Sequence, residues 1–287
     1  MNPLLGRPGA VAVENGAVAA HSADLSAVAA HYGDPLREQR QLAEGAGLVD
    51  RSDRDVLAIP GADRLTWLHS LTSQHLERLA DRTGTEALVL SPNGHVEHHL
   101  VLADLGPGGA VEVEPGTGAE LVTFLRRMVF MLRVEPSLVS DSWAVLSLVG
   151  PRTDDVLAAA QLPVPDAVTP LDGGGFVRRM PPIGDGAPVV DLVVPRAAVA
   201  ETADRLLAAA ATLAGLDAYE AQRVEARRPR FGVDTDHRTI PNELEWLRTA
   251  VHLEKGCYRG QETVAKVHNL GHPPRRVVAL QLSLIHI

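Results

Sequence analysis

The sequence predicts an α+β protein made of two similar lobes, each with an antiparallel sheet and helices. The order strand, helix, strands, helix occurs twice along the chain. Apolar residues make up 45% of the 287 residues, which is enough for a large core. The Asn-Gly turn within Ser91–Gly94 is typical of an antiparallel hairpin. We therefore assign 34–140 to the first lobe and 141–276 to the second, preceded by an arm at 1–33.

The first lobe begins with a predicted helix from residue 35 to about 43. Asp34 is a favourable N-cap, and Pro35 fits the first helical position. A strand at 55–59 ends at Pro60-Gly61, and leucines spaced by three predict a short helix over 62–71. The remaining predicted elements of this lobe are strands at 87–90, 96–102 and 111–113 and a helix at 119–131.

The second lobe repeats this order with longer helices. Its predicted elements are strands at 143–149, 176–180 and 189–193 and helices at 154–160, 196–214 and 217–228. The helix at 196–214 is predicted from its alanine content, and Pro229 is expected to stop the last helix.

Composition excludes several classes of protein. The net charge of −9 argues against binding to nucleic acid through the overall field of the chain. A single cysteine excludes an intramolecular disulfide and a metal site built from several thiolates. No apolar run approaches the ~20 residues that a membrane-spanning helix needs. We expect a cytoplasmic monomer without membrane or direct nucleic-acid partners.

The single cysteine, Cys257, lies between two glycines and two cations. Lys255 and Arg259 favour its thiolate, because nearby positive charge lowers the pKa of a thiol. A lone cysteine is also commonly buried and inert. No histidine-based acyl-transfer motif accompanies it. The residue pattern leaves a functional thiol and a structural one both open.

A second candidate is the arginine-rich end of the helix at 217–228. Glu225 lies among Arg223, Arg227 and Arg228. One interpretation is a solvated helix with weak charge pairs, each worth ~0.2–0.5 kcal/mol. The other is a buried carboxylate, supported by arginines, that accepts two parallel N–H donors from a pterin-like edge. Both interpretations stay open at this point.

Histidines follow the predicted hairpin turn. His95, Glu97 and His99 lie on one face of a strand because side chains alternate with period two. Imidazole and carboxylate are zinc ligands, but this ladder spans roughly 13 Å, too long for one ion. We therefore predict no metal site here.

The octapeptide Lys255-Gly-Cys-Tyr-Arg-Gly-Gln-Glu262 resembles the signature of the YgfZ-type folate-binding proteins. These belong to the glycine-cleavage T-protein superfamily, also called the GcvT or aminomethyltransferase superfamily. Arg223-Val-Glu225 with Phe231-Gly-Val-Asp234 is similar to a T-protein segment. The resemblance covers about 35–280, and weaker motifs follow in family order: Gly47–Ser52, Pro60-Gly61, Asn93–Val96 and Thr239–Glu243.

The resemblance implies a GcvT-like folate-binding fold and tetrahydrofolate, or a derivative, as cofactor. It implies that Glu225 holds the pterin ring, with Arg223 and Arg227 beside it, and that the thiol of Cys257 is required. The rest of the octapeptide is expected at the rim of the pocket: Lys255, Gly256, Tyr258, Arg259, Gly260, Gln261 and Glu262.

The resemblance also implies a C-terminal β-barrel domain. We expect 277–287 to be the start of a truncated copy with an artefactual tail, since Leu282–Ile287 matches the translation of a common sequencing adapter.

The implied function is that of a folate-binding accessory protein for the maturation or repair of iron–sulfur enzymes, with an indirect effect on tRNA modification. Its implied partners are folate and iron–sulfur proteins or their assembly factors. An aminomethyltransferase is the enzyme alternative, but T-proteins carry two aspartates where this chain has His98 and His99. A scaffold that no longer binds folate is the third alternative.

Overall fold

The computed structural model describes residues 2–13, 28–106 and 108–278. Near the N-terminus, β1 (Val11–Ala12) pairs with β2 (Ala29–His31) in a two-stranded ribbon. Much of the predicted N-terminal arm, 14–27, lies outside the described residues. So does most of the predicted start of a further domain, 279–287, and the described residues 277–278 form no strand.

A five-stranded antiparallel sheet has the order β5-β6-β7-β4-β8. The Ser91–Gly94 turn joins β5 to β6, as predicted. The strands are β4 (Asp55–Ala58), β5 (Gly84–Leu90), β6 (Val96–Asp104), β7 (Gly109–Val113) and β8 (Ser137–Leu138).

A six-stranded sheet has the order β10-β11-β12-β9-β3-β13, antiparallel except for the parallel pair β3 and β13. Its strands are β3 (Gly47–Asp50), β9 (Trp143–Val149), β10 (Val168–Pro170), β11 (Phe176–Ile183), β12 (Ala187–Pro195) and β13 (Thr212–Ala214). The sequence division places 47–50 in the first lobe, whereas β3 pairs with β9 of the second. The sheet that β3 joins depends on pairing with a distant strand, and local sequence does not encode that pairing.

Eight α-helices lie among the described residues. They are α1 (Pro35–Glu44), α2 (Arg64–Leu71), α3 (Gly118–Arg127), α4 (Thr153–Ala159), α5 (Val199–Ala208), α6 (Leu216–Glu225), α7 (Trp246–Thr249) and α8 (Gln261–Leu270). Short 3-10 turns occur at Arg196–Ala198 and Pro241–Glu243. No helix in the described part of the chain has the length and apolarity that a bilayer crossing requires.

The predicted helix at 35–43 is confirmed, since the Asp34 side chain accepts a hydrogen bond from the Arg37 N–H at 3.0 Å. The predicted helix at 196–214 is wrong in its second half. There α5 ends at Ala208, Ala210 turns with a φ of 73°, and 212–214 form β13. Alanine-rich sequence favours a helix, but pairing with β3 overrides this local preference.

The two sheets pack face to face, and helices cover their outer faces. Helices α2 and α3 pack on the outer face of the five-stranded sheet, and α4 and α5 on that of the six-stranded sheet. Between the sheets, Val56 and Ala103 of one contact Val145, Phe176 and Val193 of the other. Because side chains alternate along a strand, every second residue lies on the inner face of its sheet. Where the sheets do not cover each other, α6 packs on the inner face of the six-stranded sheet, and α7 and α8 pack on that of the five-stranded sheet.

Charged residues also lie in this inner layer. The carboxylate of Glu112 on β7 accepts hydrogen bonds from Arg51 at 3.0 Å and Arg54 at 2.6 Å. It also binds Arg178 of β11, which belongs to the other sheet. All four side chains are almost fully buried. Glu112 therefore ties the two sheets together.

Asp191 on β12 completes this network from the six-stranded sheet. Its carboxylate accepts hydrogen bonds from Ser147 at 2.6 Å and Arg178 at 3.0 Å, and lies 3.5 Å from Arg51. Burial alone would raise the pKa of Asp191, but Arg51 and Arg178 lower it. The buried carboxylate of Asp191 is thus ionised, and the two arginines compensate its charge.

Glu114, just after β7, links the sheets to the segment that follows α6. It pairs with Arg54 and accepts a hydrogen bond from Arg230 at 2.8 Å. Burial alone would raise the pKa of Glu114, but the two arginines lower it to about 2. Its ionised form therefore stabilises the folded chain.

We expect Glu114→Gln to lower the free energy of unfolding by ~3 kcal/mol near pH 7. The pKa of Glu114 falls on folding, so this stability is present above about pH 4.5 and is lost as pH falls towards about 2. Urea unfolding between pH 3 and 7 measures the difference from wild type, which should shrink with acid. Glu120→Gln, exposed on α3, is the control. A difference that stays constant with pH would contradict this role for Glu114.

Candidate functional site

A crevice runs between the two sheets beside the charged network. Its deep end is a cavity of about 60 Å³, and a wider cavity of about 360 Å³ adjoins it. Val101, Met180 and Pro181 line both cavities, so the two are neighbours. A crevice at the junction of two packed units is a common place for a small-molecule site.

The deep end is lined by charged groups from both sheets and from α6. Asp53 contributes a half-buried carboxylate whose Oδ1 atom is buried without a hydrogen-bond partner in the described structure. Burial raises the pKa of Asp53 to about 6. On the same wall, the guanidinium of Arg51 lies 4.9 Å from the centre of the Tyr219 ring. The deep end thus offers the Asp53 oxygen as an acceptor, whereas Arg51 occupies a face of the Tyr219 ring.

The wider cavity has Glu86 on its wall. This carboxylate accepts a hydrogen bond from the Thr249 hydroxyl at 2.8 Å and pairs with Arg228. Burial alone would raise the pKa of Glu86, but His99, Arg228 and Thr249 lower it to about 2. Arg178 lines the same cavity, and its buried Nε atom has no hydrogen-bond partner among the described residues. Arg178 and Glu86 thus place opposite charges on the wall of this cavity.

The predicted carboxylate Glu225 is not buried. It lies exposed at the end of α6, without an ion pair to any described residue. Arg223 is buried, but it binds Glu220 at 2.9 Å and Asp234 at 2.7 Å rather than Glu225. Arg227 is exposed and has a φ of 54°. The prediction of an arginine-supported, buried Glu225 is wrong, because the helix directs these side chains to different sides.

Glu220, five residues earlier and half-buried, has the arginine partners predicted for Glu225. It lies 2.9 Å from Arg223 and 3.2 Å from Arg230, and all three line the deep end of the crevice. Helical spacing of three is the sequence signal for the contact with Arg223. Arg230 follows the helix and reaches Glu220 only through the fold.

Lys255 of the octapeptide is buried and supports the end of α2. Its ammonium donates hydrogen bonds to the carbonyls of His69 and Thr72 and, at 3.1 Å, of Gln74. The last carbonyls of a helix lack intrahelical partners, so a lysine here satisfies them. Burial lowers the pKa of Lys255 to about 8. The charge predicted to activate Cys257 is therefore engaged by backbone carbonyls.

The rest of the octapeptide holds its loop against the β5–β6 hairpin. Tyr258 is buried in a small apolar cluster, and Arg259 binds Glu97 on β6 at 3.0 Å. A Cβ atom at Gly260 would lie 2.8 Å from the Cα atom of Gly94 in the hairpin turn. Both glycines have positive φ, which other residues rarely adopt. The octapeptide and the hairpin turn are far apart in sequence, and they pack closely because each has a glycine at the contact.

The three remaining octapeptide residues besides Cys257 do not contact the hairpin through any hydrogen bond of the described structure. The Gln261 side chain donates to the Lys255 carbonyl at 3.3 Å and closes the loop on itself. Gly256 and Glu262 are exposed.

Cys257 projects from this anchored loop into solvent. Both neighbouring cations are paired elsewhere, Lys255 with carbonyls and Arg259 with Glu97. In the described structure no hydrogen bond or ion pair involves the thiol. An exposed thiol on a fixed loop is placed to contact another molecule, and its functional role stays a prediction.

The histidines of β6 are not arranged as a metal site. Glu97 is engaged by Arg259, and His99 stacks on Trp246 with ring centres 4.6 Å apart. His99 Nε2 lies 3.5 Å from a carboxylate oxygen of Glu86. His98 is buried, its Nδ1 atom has no hydrogen-bond partner among the described residues, and burial lowers its pKa. These contacts are those of packed side chains.

Sequence reasoning missed most of the crevice. Asp53, Glu86, Glu112 and Tyr219 were not predicted as site residues. A signal was available at Glu112 and Asp191, because each is one charge inside an apolar strand, at Val111-Glu-Val113 and Val190-Asp-Leu192. Such a charge on a strand buried on both faces requires a partner.

The chain is similar in sequence to one protein family and to several known proteins. Residues 11–167 match the GCVT N-terminal domain family. An aminomethyltransferase of Chromobacterium violaceum is 25% identical, over 74% of this chain and 60% of that protein. One of Rubrobacter xylanophilus is 28% identical, over 78% and 62%. A protein of Arabidopsis thaliana named as a chloroplastic transferase is 24% identical, over 83% and 57%. The chain thus spans about three fifths of these relatives.

The fold is similar to that of the glycine cleavage system aminomethyltransferase T from Bartonella henselae. The TM-score is 0.79 at 20% sequence identity, over 93% of this chain and 73% of that structure. This likeness concerns the mixed α/β fold with several sheets. Since the family match covers more than half of the chain, the protein belongs to the family of the GCVT N-terminal domain.

Proposed function

We propose that the chain binds tetrahydrofolate or a derivative in the crevice between its two sheets. The observation that carries the proposal is the cavity of about 360 Å³ with Glu86, Arg178 and Thr249 on its wall. A folate needs apolar walls for its rings and polar groups that converge on their edges. Val101, Met180 and Pro181 supply apolar surface where the two cavities meet.

Glu225, exposed at the end of α6, remains our proposed pterin ligand. It follows Arg223 and precedes Arg228 by three residues, and both arginines line the deep end. Because Glu225 has no ion pair among the described residues, both of its oxygens are free to accept the paired N–H donors of a pterin. Arg227, likewise unpaired within the described chain, is suited to the carboxylate tail of a folate.

We further propose a YgfZ-like accessory role towards iron–sulfur enzymes, with an indirect effect on tRNA modification. The resemblance of the octapeptide supports this role, as does the exposure of Cys257 on a loop held by Lys255, Tyr258 and Gly260. In this proposal the thiol contacts an iron–sulfur protein or an assembly factor. The fixed loop presents it to that partner without the ordering cost that a flexible segment would have.

Aminomethyl transfer is the second candidate function, favoured by the names of the curated relatives. Such an enzyme needs a group that transfers protons or stabilises charge beside the folate. His98 and His99 stand where T-proteins carry two aspartates. His99 is stacked on Trp246, and His98 is buried with an unpartnered Nδ1. We therefore favour binding over transfer.

We expect Glu225→Gln to weaken tetrahydrofolate binding about 10- to 100-fold, because a charge-assisted pair of hydrogen bonds is replaced by one neutral acceptor. Calorimetric titration of the reduced folate measures the dissociation constant. Glu120→Gln on α3 is the matched control and should bind like wild type. Equal affinity of wild type and Glu225→Gln would remove Glu225 from the pocket.

The chain should give no turnover above background in a glycine-cleavage exchange assay with the partner proteins of that system. The reason is the absence of the T-protein carboxylates at His98 and His99. Turnover that disappears in His98→Ala would instead support the transferase function.

Cys257→Ala should lose the ability to restore iron–sulfur enzyme activity in a strain that lacks its homologue. Glu254→Ala, exposed three residues earlier, is the control and should restore activity like wild type. Full activity of Cys257→Ala would make the cysteine dispensable. Loss in Cys257→Ala combined with full activity of Glu225→Ala would favour a scaffold that does not use folate.

A further inference from the structure

A cluster of imidazoles and a carboxylate lies at the C-terminal end of α2, apart from the crevice. His69 is in the last turn of the helix, and His75 and Glu77 lie in the loop that follows. One donor atom from each residue falls within 4.8 Å of the other two. We propose that His69, His75 and Glu77 bind a divalent transition-metal ion of the Zn²⁺ type.

The orientation of the rings suits convergence on one point. The His69 and His75 rings are 4.7 Å apart and nearly perpendicular, at 86°. The His252 ring is also close, with its centre 5.3 Å from that of His75 and the two rings tilted at 47°. The converging donor atoms come from His69, His75 and Glu77, and in this proposal the exposed His252 moves in as the fourth donor of the tetrahedral set that Zn²⁺ prefers.

Zn²⁺ binding requires a small contraction of the cluster. Metal–nitrogen distances of about 2.0–2.1 Å place tetrahedral donors ~3.3 Å apart. His69 and His75 are half-buried, whereas Glu77 and His252 are exposed and have room to move towards them. Imidazole and carboxylate donors suit Zn²⁺ rather than Mg²⁺ or Ca²⁺, which take mainly oxygen ligands.

Two features limit the affinity. His69 Nδ1 accepts long hydrogen bonds from the N–H groups of Leu76 at 3.2 Å and Glu77 at 3.4 Å. These must open, because a metal on Nε2 requires a proton on Nδ1. The ammonium of Lys255, bound to the His69 carbonyl, also places positive charge nearby. We expect a dissociation constant on the order of micromolar.

The ion would connect α2 to the loop that carries Cys257. The N–H of His252 donates to the Ser73 carbonyl at 3.0 Å, and Lys255 already binds three carbonyls of the 69–74 segment. A metal shared by His69, His75 and Glu77 would fix that segment, and His252 would join the loop to it. The inferred role is structural, since a metal that binds only the folded chain stabilises it.

Calorimetric titration of Zn²⁺ into the chelator-treated full chain tests this site. We expect one ion per chain and a rise in Tm on saturation. A Co²⁺ titration should give the visible absorption of a tetrahedral complex. His75→Ala and Glu77→Gln should each weaken binding at least 10-fold. His268→Ala, exposed on α8, controls for adventitious binding to surface histidines and should bind like wild type.

The results for these variants and for Cys257→Ser show which residues bind the metal. Equal weakening in His268→Ala, or unchanged binding in Glu77→Gln, would overturn the site. Cys257→Ser should retain both the stoichiometry and the Co²⁺ spectrum. Loss of the spectrum in Cys257→Ser would make the thiol a ligand and would also overturn the proposed set. Glu77 is exposed, so its substitution leaves the fold intact and keeps the test interpretable.

Discussion

The ion-pair network centred on Glu112 is the interaction on which the rest of the structure depends. One carboxylate on β7 binds Arg51 and Arg54 from the segment between β3 and β4, and Arg178 from the opposite sheet. Removing these charges from water is costly, so their pairing contributes less to stability than to the choice of one arrangement. A shift of either sheet would leave a charge buried without a partner, at a cost of several kcal/mol. The network therefore fixes how the sheets face each other.

The crevice lies beside this network. Glu112 lines its deep end, and Arg178 lines the wider cavity. The segment after α6 also pairs with buried carboxylates of the five-stranded sheet and its edge, since Arg228 binds Glu86 and Arg230 binds Glu114. The same residues therefore contribute to the stability of the fold and line the proposed ligand site. Substitutions in this layer will affect both properties.

The residues of the two sequence motifs fall into two groups. Lys255, Tyr258 and Gly260 are used in packing, and their contacts hold a loop against α2 and the β5–β6 hairpin. Glu225 and Cys257 have no ion pair or hydrogen bond through their side chains within the described structure, and both are exposed. A motif that resembles a family signature therefore need not consist of active-site residues throughout. Its packed residues position the few groups that remain available to a ligand or partner.

The sequence alone determined the local elements, because their causes are local. Asp34 and Pro35 begin α1, and the Asn93-Gly94 turn aligns β5 with β6. Only the tertiary structure decided that β3 joins the second sheet and that 212–214 form a strand beside it, since both depend on pairing between distant segments. The same holds for the site. Proximity in sequence suggested that arginines support Glu225, whereas the direction of each side chain from α6 gave that support to Glu220 and left Glu225 free.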